Sequence, residues 1–241
     1  ILNADDSRVA AMRSFAADGV RILTYGIDAD ADVRAEALQC AADGSRFMVT
    51  YANERHEYAV SLPGRHNVSN TLAALAAGFA LGLTPQEMQA GLRNIEGTKM
   101  RYETESVGAW MFINDAYNAS PSSMRAALET TAALYPGRKI AVLGDMLELG
   151  AAAEEAHRMI GRRAAELGFA AVVTYGPQAR WIHEAAEKTG CAACFHAETH
   201  EEAAQLLRKI LSDGDTVLFK GSRGMRMEQV IALLTGEKAG H

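Results

Sequence analysis

Ile113-Asn-Asp-Ala-Tyr-Asn-Ala-Ser-Pro-Ser-Ser-Met124 is the stretch that indicates an open α/β fold. An apolar run, Ala109 to Ile113, ends there in polar side chains just before a helix. This pattern is typical of the exit of a buried strand, where open α/β sheets bind ligands. Ser120 and Pro121 predict the start of the helix, because serine caps free amides and proline suits the first helical position.

The polar side chains of this stretch have two interpretations. Asp115 offers two acceptor oxygens that suit a ribose diol, and Tyr117 offers a flat face and a hydroxyl group. Together they predict a nucleotide site. The alternative is an Asx-type cap that only turns the chain, and these residues alone do not decide between the two.

Composition indicates a globular protein of one large or two modest domains. The chain has 241 residues, 49% of them hydrophobic and 22% charged. A net charge of -6 argues against a nucleic-acid partner or an anionic-membrane surface. No apolar run approaches the roughly 20 residues that span a bilayer, and the start has no basic-then-apolar signal. We therefore expect a cytoplasmic protein without membrane insertion. We also expect a monomer, although neither composition nor charge indicates the oligomeric state.

Three cysteines are too few for a disulfide framework, which agrees with a reducing compartment. Cys191 and Cys194 lie close to His196 and His200, and such groups can hold zinc. The stretch lacks a second pair of metal ligands at the spacing of a zinc finger. Phe195 makes it resemble a short buried strand. We therefore predict no metal site.

Periodicity predicts two regions with a boundary near residue 100. Predicted strands of the first region are 1–2, 20–25, 33–40, 46–51 and 57–62, and its predicted helices are 6–17, 67–81 and 85–94. The last three strands alternate apolar and polar residues, which indicates an antiparallel patch. From Tyr102 onward, strands alternate with helices, which predicts a mainly parallel sheet covered on both faces. We expect Gly97–Met100 to be a hinge between the regions.

Leu62-Pro-Gly-Arg-His-Asn-Val-Ser-Asn70 leads into a helix, whose first amides and dipole can face an anion or a polar base. Asn67 and Asn70 are three residues apart and share one helix face. Paired amides can both donate and accept, which an adenine edge requires. The alternative is that both are ordinary first-turn residues and that His66 only fills the turn.

Two further strand exits carry charged side chains. One ends in Asp145 and Glu148, which could orient an amine or cap the next helix, and we favour the cap for Glu148. The other ends in Lys220, Ser222 and Arg223 among glycines, where the backbone can approach a ligand closely. A carboxylate or phosphate is the expected ligand there, and a solvated basic turn is the alternative.

Five motifs together resemble the Mur ligases, in the order of that family: Asn3–Asp6, Pro63–Val68, Asp115–Pro121, Leu143–Gly150 and Lys220–Glu228. The resemblance runs to about residue 234. It implies an ATP-dependent ligase that adds D-alanyl-D-alanine to UDP-N-acetylmuramoyl-tripeptide in peptidoglycan synthesis. In such an enzyme, ATP phosphorylates the tripeptide carboxylate, and the dipeptide amine then attacks the acyl phosphate.

The resemblance also implies a domain plan. Residues 1–100 look like the rear part of the central ATP-binding domain, and residues 101–241 look like the C-terminal Rossmann-like domain. The N-terminal domain, the phosphate-loop lysine and the Mg²⁺ ligands are expected outside this chain, which contains no Gly-x-x-x-x-Gly-Lys-Ser/Thr segment. We therefore expect the 241 residues alone to show no ligase or ATPase turnover.

Roles of individual residues follow from the same resemblance. The expected nucleotide-binding residues are His66, Asn67, Asn70, Arg101, Asp115 and Tyr117. Lys220 and Arg223 are expected to be catalytic residues at the transferred phosphate, and Asn118 and Ser222 are expected to bind the substrate.

Two other functions stay open. A folylpolyglutamate-synthetase-like ligase shares the domain plan, although the motifs at Asp115 and Lys220 fit a D-alanyl-D-alanine-adding enzyme better. A noncatalytic nucleotide-binding module would explain the missing phosphate loop. The residues encoded before Ile1 would discriminate, because a Gly-Thr-x-Gly-Lys-Thr-type segment there supports the ligase.

Overall fold

The computed structural model describes residues 1–95 and 97–236. The chain divides into two compact units, Ile1–Gly97 and Thr98–His241, and each unit holds one β-sheet. No helix in the described ranges combines the length and the apolar character that a membrane span requires.

The first unit contains a five-stranded sheet in the order β1-β2-β3-β4-β5. Its strands are Leu2–Asn3 (β1), Thr24–Gly26 (β2), Val33–Ala41 (β3), Gly44–Tyr51 (β4) and Glu54–Val60 (β5). The pairing of β3 with β4 and of β4 with β5 is antiparallel, which confirms the predicted patch. Strand β2 is shorter than the predicted 20–25, because β1 and β3 pair only with residues 24–26.

Three helices accompany this sheet: Ser7–Ala11 (α1), Arg65–Ala80 (α2) and Pro85–Arg93 (α3). The predicted helix 6–17 is wrong in its second half, where the chain tightens into a 3₁₀ turn at Met12–Phe15. Thr84 caps α3 as predicted, and it exchanges hydrogen bonds with Glu87 in a capping box. Helix α2 buries Val68 and Leu72 in the core of the sheet.

The second unit contains a six-stranded sheet in the order β10-β9-β8-β11-β7-β6. Its strands are Glu103–Val107 (β6), Trp110–Asp115 (β7), Lys139–Gly144 (β8), Ala171–Tyr175 (β9), Cys194–Ala197 (β10) and Thr216–Lys220 (β11). All pairings are parallel except that of β6 with β7, which confirms the mainly parallel sheet. Strand β6 was not predicted, because its residues are polar and mostly exposed.

Helices cover both faces of this sheet. They are Pro121–Leu134 (α4), Ala153–Glu166 (α5), Arg180–Lys188 (α6), His200–Ile210 (α7) and Glu228–Thr235 (α8). Successive residues of a strand point to opposite faces, so Leu218 packs in the core with α4, α5 and α6, while Phe219 packs with α7 and α8. Both side chains are fully buried, as in a parallel sheet covered on two sides.

The carboxyl ends of β7, β8 and β11 lie at one edge of the sheet, because the three strands are parallel neighbours. Lys220, the last residue of β11, is in register with Asp115 on one side and with Leu143 on the other. The loops that follow these strands therefore converge at this edge, where the predicted site residues of the second unit lie.

Candidate functional site

The predicted site residues form two groups, and each is described within its own unit. The amide turn of the first unit consists of His66, Asn67 and Asn70. The carboxyl-edge cluster of the second unit consists of Arg101, Asp115, Tyr117, Asn118, Lys220, Ser222 and Arg223. The structure brings all seven residues of this cluster to the same edge of the sheet.

The amide turn begins after Gly64, whose φ of 92° favours glycine. Nδ2 of Asn67 donates to the Pro63 carbonyl at 2.9 Å, which orients this amide. Nδ2 of Asn70 lies 3.5 Å from Oδ1 of Asn67, so the two amides share a face of α2 as predicted. His66 is half-buried beside them. Within the described residues Oδ1 of Asn70 accepts no hydrogen bond, and this exposed amide can therefore pair with a ligand.

A buried ion pair lies at the centre of the carboxyl-edge cluster. Nζ of Lys220 donates to Oδ2 of Asp115 at 2.6 Å, and the two side chains are 3% and 16% exposed. The same ammonium group donates to the Asn118 carbonyl at 2.9 Å and lies 3.3 Å from the Asp115 carbonyl. Lys220 therefore fixes the loop that follows β7.

The second oxygen of Asp115 holds a neighbouring turn. Oδ1 accepts the backbone N–H of Tyr102 at 3.1 Å, and the N–H of Tyr117 donates to the Met100 carbonyl at 3.0 Å. Met100 and Tyr102 have φ of 58° and 54°, conformations that cost about 1–3 kcal/mol each and cluster at functional sites. Burial raises the pKa of Tyr102, whose hydroxyl group is hydrogen-bonded to Thr131.

Arg101 is presented by this turn. Its guanidinium carbon lies 4.4 Å from the centre of the Tyr117 ring, in a cation–π contact. Both side chains are exposed, and Tyr117 retains 42% of its accessible surface. The carboxyl edge therefore presents a cation and an aromatic ring beside a fixed carboxylate, a combination that suits the phosphate and sugar of a nucleotide.

An Asx-type turn is present in this stretch, but Asn114 forms it and not Asp115, and the cap of α4 is a serine. Oδ1 of Asn118 accepts the Ala119 N–H at 2.8 Å, and Oδ1 of Asn114 accepts the Ala116 N–H at 3.2 Å. Ser120 caps α4 as predicted, since its hydroxyl group accepts the N–H of Ser123. Asp115 does not cap this helix.

Ser222 and Arg223 differ in exposure. The Ser222 hydroxyl is buried and accepts the N–H of Leu147 at 2.9 Å, and the Ser222 N–H donates to the Asp145 carbonyl at 2.9 Å. Ser222 therefore joins the loops that follow β8 and β11, while its contact with substrate stays a prediction. Arg223 is 53% exposed and pairs with Glu228 at 2.6 Å.

The loop after β8 is held by Asp145 and His157. Oδ1 of Asp145 accepts the Ala179 N–H at 2.6 Å, and burial raises the pKa of this carboxyl group. Nε2 of His157 accepts the Met146 N–H at 2.9 Å, so this fully buried ring is structural. The cap expected from Glu148 is wrong, because this side chain is exposed and the first residues of α5 receive no side-chain cap.

Cys191 and Cys194 pack against the core of the second unit. Burial raises the pKa of the Cys194 thiol to about 12, which disfavours the thiolate that metals bind. Across residues 1–95 and 97–236, no group of three or more His, Cys, Asp or Glu side chains could hold a metal ion.

Two family models match the chain. The model described as Mur ligase middle domain matches residues 1–78, and the model described as Mur ligase, glutamate ligase domain matches residues 100–223. The UDP-N-acetylmuramoyl-tripeptide--D-alanyl-D-alanine ligase of Bacillus subtilis (strain 168) is 36% identical over 214 residues, which are 86% of this chain and 46% of that protein. The chain thus spans about half the length of the curated relatives it matches.

Solved structures show the same similarity. MurF from Acinetobacter baumannii superposes with a TM-score of 0.85 at 30% identity, over 98% of this chain and 51% of that one. MurF from Thermotoga maritima, in complex with ADP, has a TM-score of 0.79 at 23% identity, over 95% of this chain and 51% of that one. A folylpolyglutamate synthase from Mycobacterium tuberculosis is more distant, with a TM-score of 0.67 at 17% identity over 87% and 49%. For the Thermotoga maritima and Mycobacterium tuberculosis structures, the similarity shows a common fold and no more.

Proposed function

Because the chain belongs to the Mur ligase family, we propose that the whole protein is an ATP-dependent ligase that adds D-alanyl-D-alanine to UDP-N-acetylmuramoyl-tripeptide. The observation that carries this proposal is the carboxyl-edge cluster, in a chain 36% identical to such a ligase over 86% of its length. The product would serve peptidoglycan synthesis in the cytoplasm. The more distant match to a folylpolyglutamate synthase makes that alternative weaker.

The two units would correspond to two domains of this ligase. We assign residues 1–100 to the rear part of the central ATP-binding domain and residues 101–241 to the C-terminal domain. The ranges of the two family models support this boundary.

In this proposal both groups of residues contribute to binding of ATP. Asn67 and Asn70 would read the adenine edge, since a primary amide both donates and accepts, and His66 would lie beside them. Arg101 would attract the phosphates, and Asp115 would accept hydrogen bonds from ribose hydroxyl groups. The exposed ring of Tyr117 would support the sugar or the base.

The proposed reaction has two displacements. A carboxylate oxygen of the tripeptide attacks the γ-phosphorus of ATP and ADP leaves, after which the dipeptide amine attacks the acyl carbon and phosphate leaves. Catalysis of this kind depends mostly on positioning and on neutralising phosphate charge. Arg223, an exposed cation, would meet the transferred phosphate, and Asn118 would lie near the substrate. Mg²⁺ would accompany ATP, and no residue of this chain is assigned to it.

Phosphate release by the purified full-length protein tests this function. We expect release from ATP only when UDP-N-acetylmuramoyl-tripeptide and D-alanyl-D-alanine are both present, because the amine is needed to break down the acyl phosphate. Omission of each substrate, and replacement of the dipeptide by L-alanyl-L-alanine, serve as controls. Release that instead depends on a folate and glutamate would support the synthetase, and no turnover with either set would support a noncatalytic module.

A further inference from the structure

Lys220 is a lysine in an unusual environment. Its side chain is 3% exposed, at the end of a strand whose five residues are all buried. An isolated buried ammonium group is strongly unfavourable, so its partners must compensate for the lost hydration. A residue that contacts a transferred phosphate needs, in contrast, a donor that is directed toward the ligand.

The donors of Lys220 are directed into the protein. An ammonium group has three N–H donors. Nζ of Lys220 has three acceptors within 3.3 Å: Oδ2 of Asp115, the Asn118 carbonyl and the Asp115 carbonyl. The number of acceptors equals the number of donors, so no N–H remains for a ligand in this arrangement. Arg223, only three residues later, is half exposed.

Asp115 links Lys220 to the turn that carries Arg101. One carboxylate oxygen accepts from Lys220 and the other accepts from the N–H of Tyr102. This bond helps to hold the left-handed conformations of Met100 and Tyr102, between which Arg101 stacks on Tyr117. The orientation of Arg101 therefore depends on a carboxylate that Lys220 holds in place.

We infer that Lys220 is a positioning residue, which fixes Asp115 and through it the turn of Arg101 without contacting ATP or the transferred phosphate itself. This inference rests on the proposed function and narrows the role of one residue in it. The buried ammonium group orders the loop 115–118, and the exposed groups of that loop and turn meet the nucleotide. Replacement of Lys220 should then act on the KM for ATP through Asp115.

A double-mutant cycle in the intact enzyme tests this dependence. We expect Lys220→Met and Asp115→Asn each to raise the KM for ATP about 10-fold or more, since each breaks the same charge-assisted hydrogen bond. The KM for ATP of the double variant should be close to that of each single variant, because the effects of residues that act as a unit do not add. The KM for D-alanyl-D-alanine should change by less than about 2-fold, because the binding site of the dipeptide is not coupled to this ion pair.

Lys139→Met is the matched control. Lys139 is also buried and donates to a nearby carbonyl, that of Gly137, but it lies at the first residue of β8, at the opposite end of the sheet. This variant should lower the melting temperature and leave the KM for ATP unchanged. If Lys220→Met does not fold, Lys220→Arg carries the test, because a retained charge-assisted hydrogen bond to Asp115 should keep the KM for ATP within about 3-fold of wild type.

The inference would be overturned if the substitutions at Lys220 and Asp115 acted independently, so that their effects on the kinetic constants multiply. If Lys220→Met lowers kcat by the same factor with and without Asp115→Asn, Lys220 contacts the reacting groups directly. A Lys220→Arg enzyme that folds but loses kcat with an unchanged KM for ATP would have the same meaning. Inactivity of the wild-type enzyme with these substrates would instead refute the proposed function, which the wild-type assay establishes first.

Discussion

The unfolding free energy of the second unit is expected to fall by about 3–5 kcal/mol when Asp115 is replaced by alanine, because removal of one partner leaves a buried charge without compensation. The Lys220 ammonium group, which is 3% exposed in the native pair, would lose the anion beside it. The Tyr102 N–H would also lose its acceptor, which adds to the loss.

Urea unfolding of the 241-residue chain, followed by tryptophan fluorescence, measures this effect. Trp110 and Trp181 both lie in the second unit, so the signal reports that unit. Glu155→Ala is the control, since Glu155 and Arg162 form an ion pair with side chains 76% and 42% exposed. An exposed pair contributes less than about 1 kcal/mol. If Asp115→Ala and Glu155→Ala lower the unfolding free energy equally, the ion pair of Asp115 and Lys220 is not buried in solution.

A second large effect is expected from Phe219→Ala. Phe219 is fully buried, and its ring meets that of Phe112 edge-on with centroids 5.1 Å apart. Truncation of a buried phenylalanine costs about 3–5 kcal/mol through lost burial and the cavity that remains. The cost should be at the upper end of this range. Strand β11 lies at the centre of the sheet with both faces covered, so the surrounding side chains cannot easily move to fill the cavity.

The same fluorescence measurement applies to Phe219→Ala. Leu147→Ala is the control in this unit, because the Leu147 side chain is among the exposed large hydrophobic groups. We expect the control to change the unfolding free energy by less than about 1 kcal/mol. If Phe219→Ala lowers the unfolding free energy by less than about 1 kcal/mol, α7 and α8 do not cover that face of the sheet.

Much of the second unit could be predicted from sequence because its signals are local. Strands such as Lys139–Gly144 are continuous apolar runs, which indicate burial on both faces, and Ser120 with Pro121 marks a helix start. The family was predicted from five ordered motifs, and the family models and relatives confirm it. Six residues of the carboxyl-edge cluster follow from strand exits that a parallel sheet brings together, whereas Arg101 was expected only from the family resemblance.

Other features depend on contacts that sequence patterns do not reveal. Strand β6 forms at a polar edge only because β7 offers hydrogen bonds to it. Met100 and Tyr102 adopt left-handed conformations that neither residue type favours, and tertiary hydrogen bonds hold them there. The burial of Lys220 is hidden for the same reason, since a lysine at a strand exit ordinarily indicates an exposed cation.

The most direct test of nucleotide binding by both groups is the KM for ATP of the intact enzyme carrying Asn70→Ala or Asp115→Asn. We expect each variant to raise this KM by about 10-fold or more, Asn70→Ala through a lost hydrogen bond to the ligand and Asp115→Asn through the weakened bond to Lys220 that holds the loop. The KM for D-alanyl-D-alanine should stay close to that of wild type. Unchanged ATP kinetics in both folded variants would contradict the assignment of the amide turn and the carboxyl-edge cluster to the nucleotide.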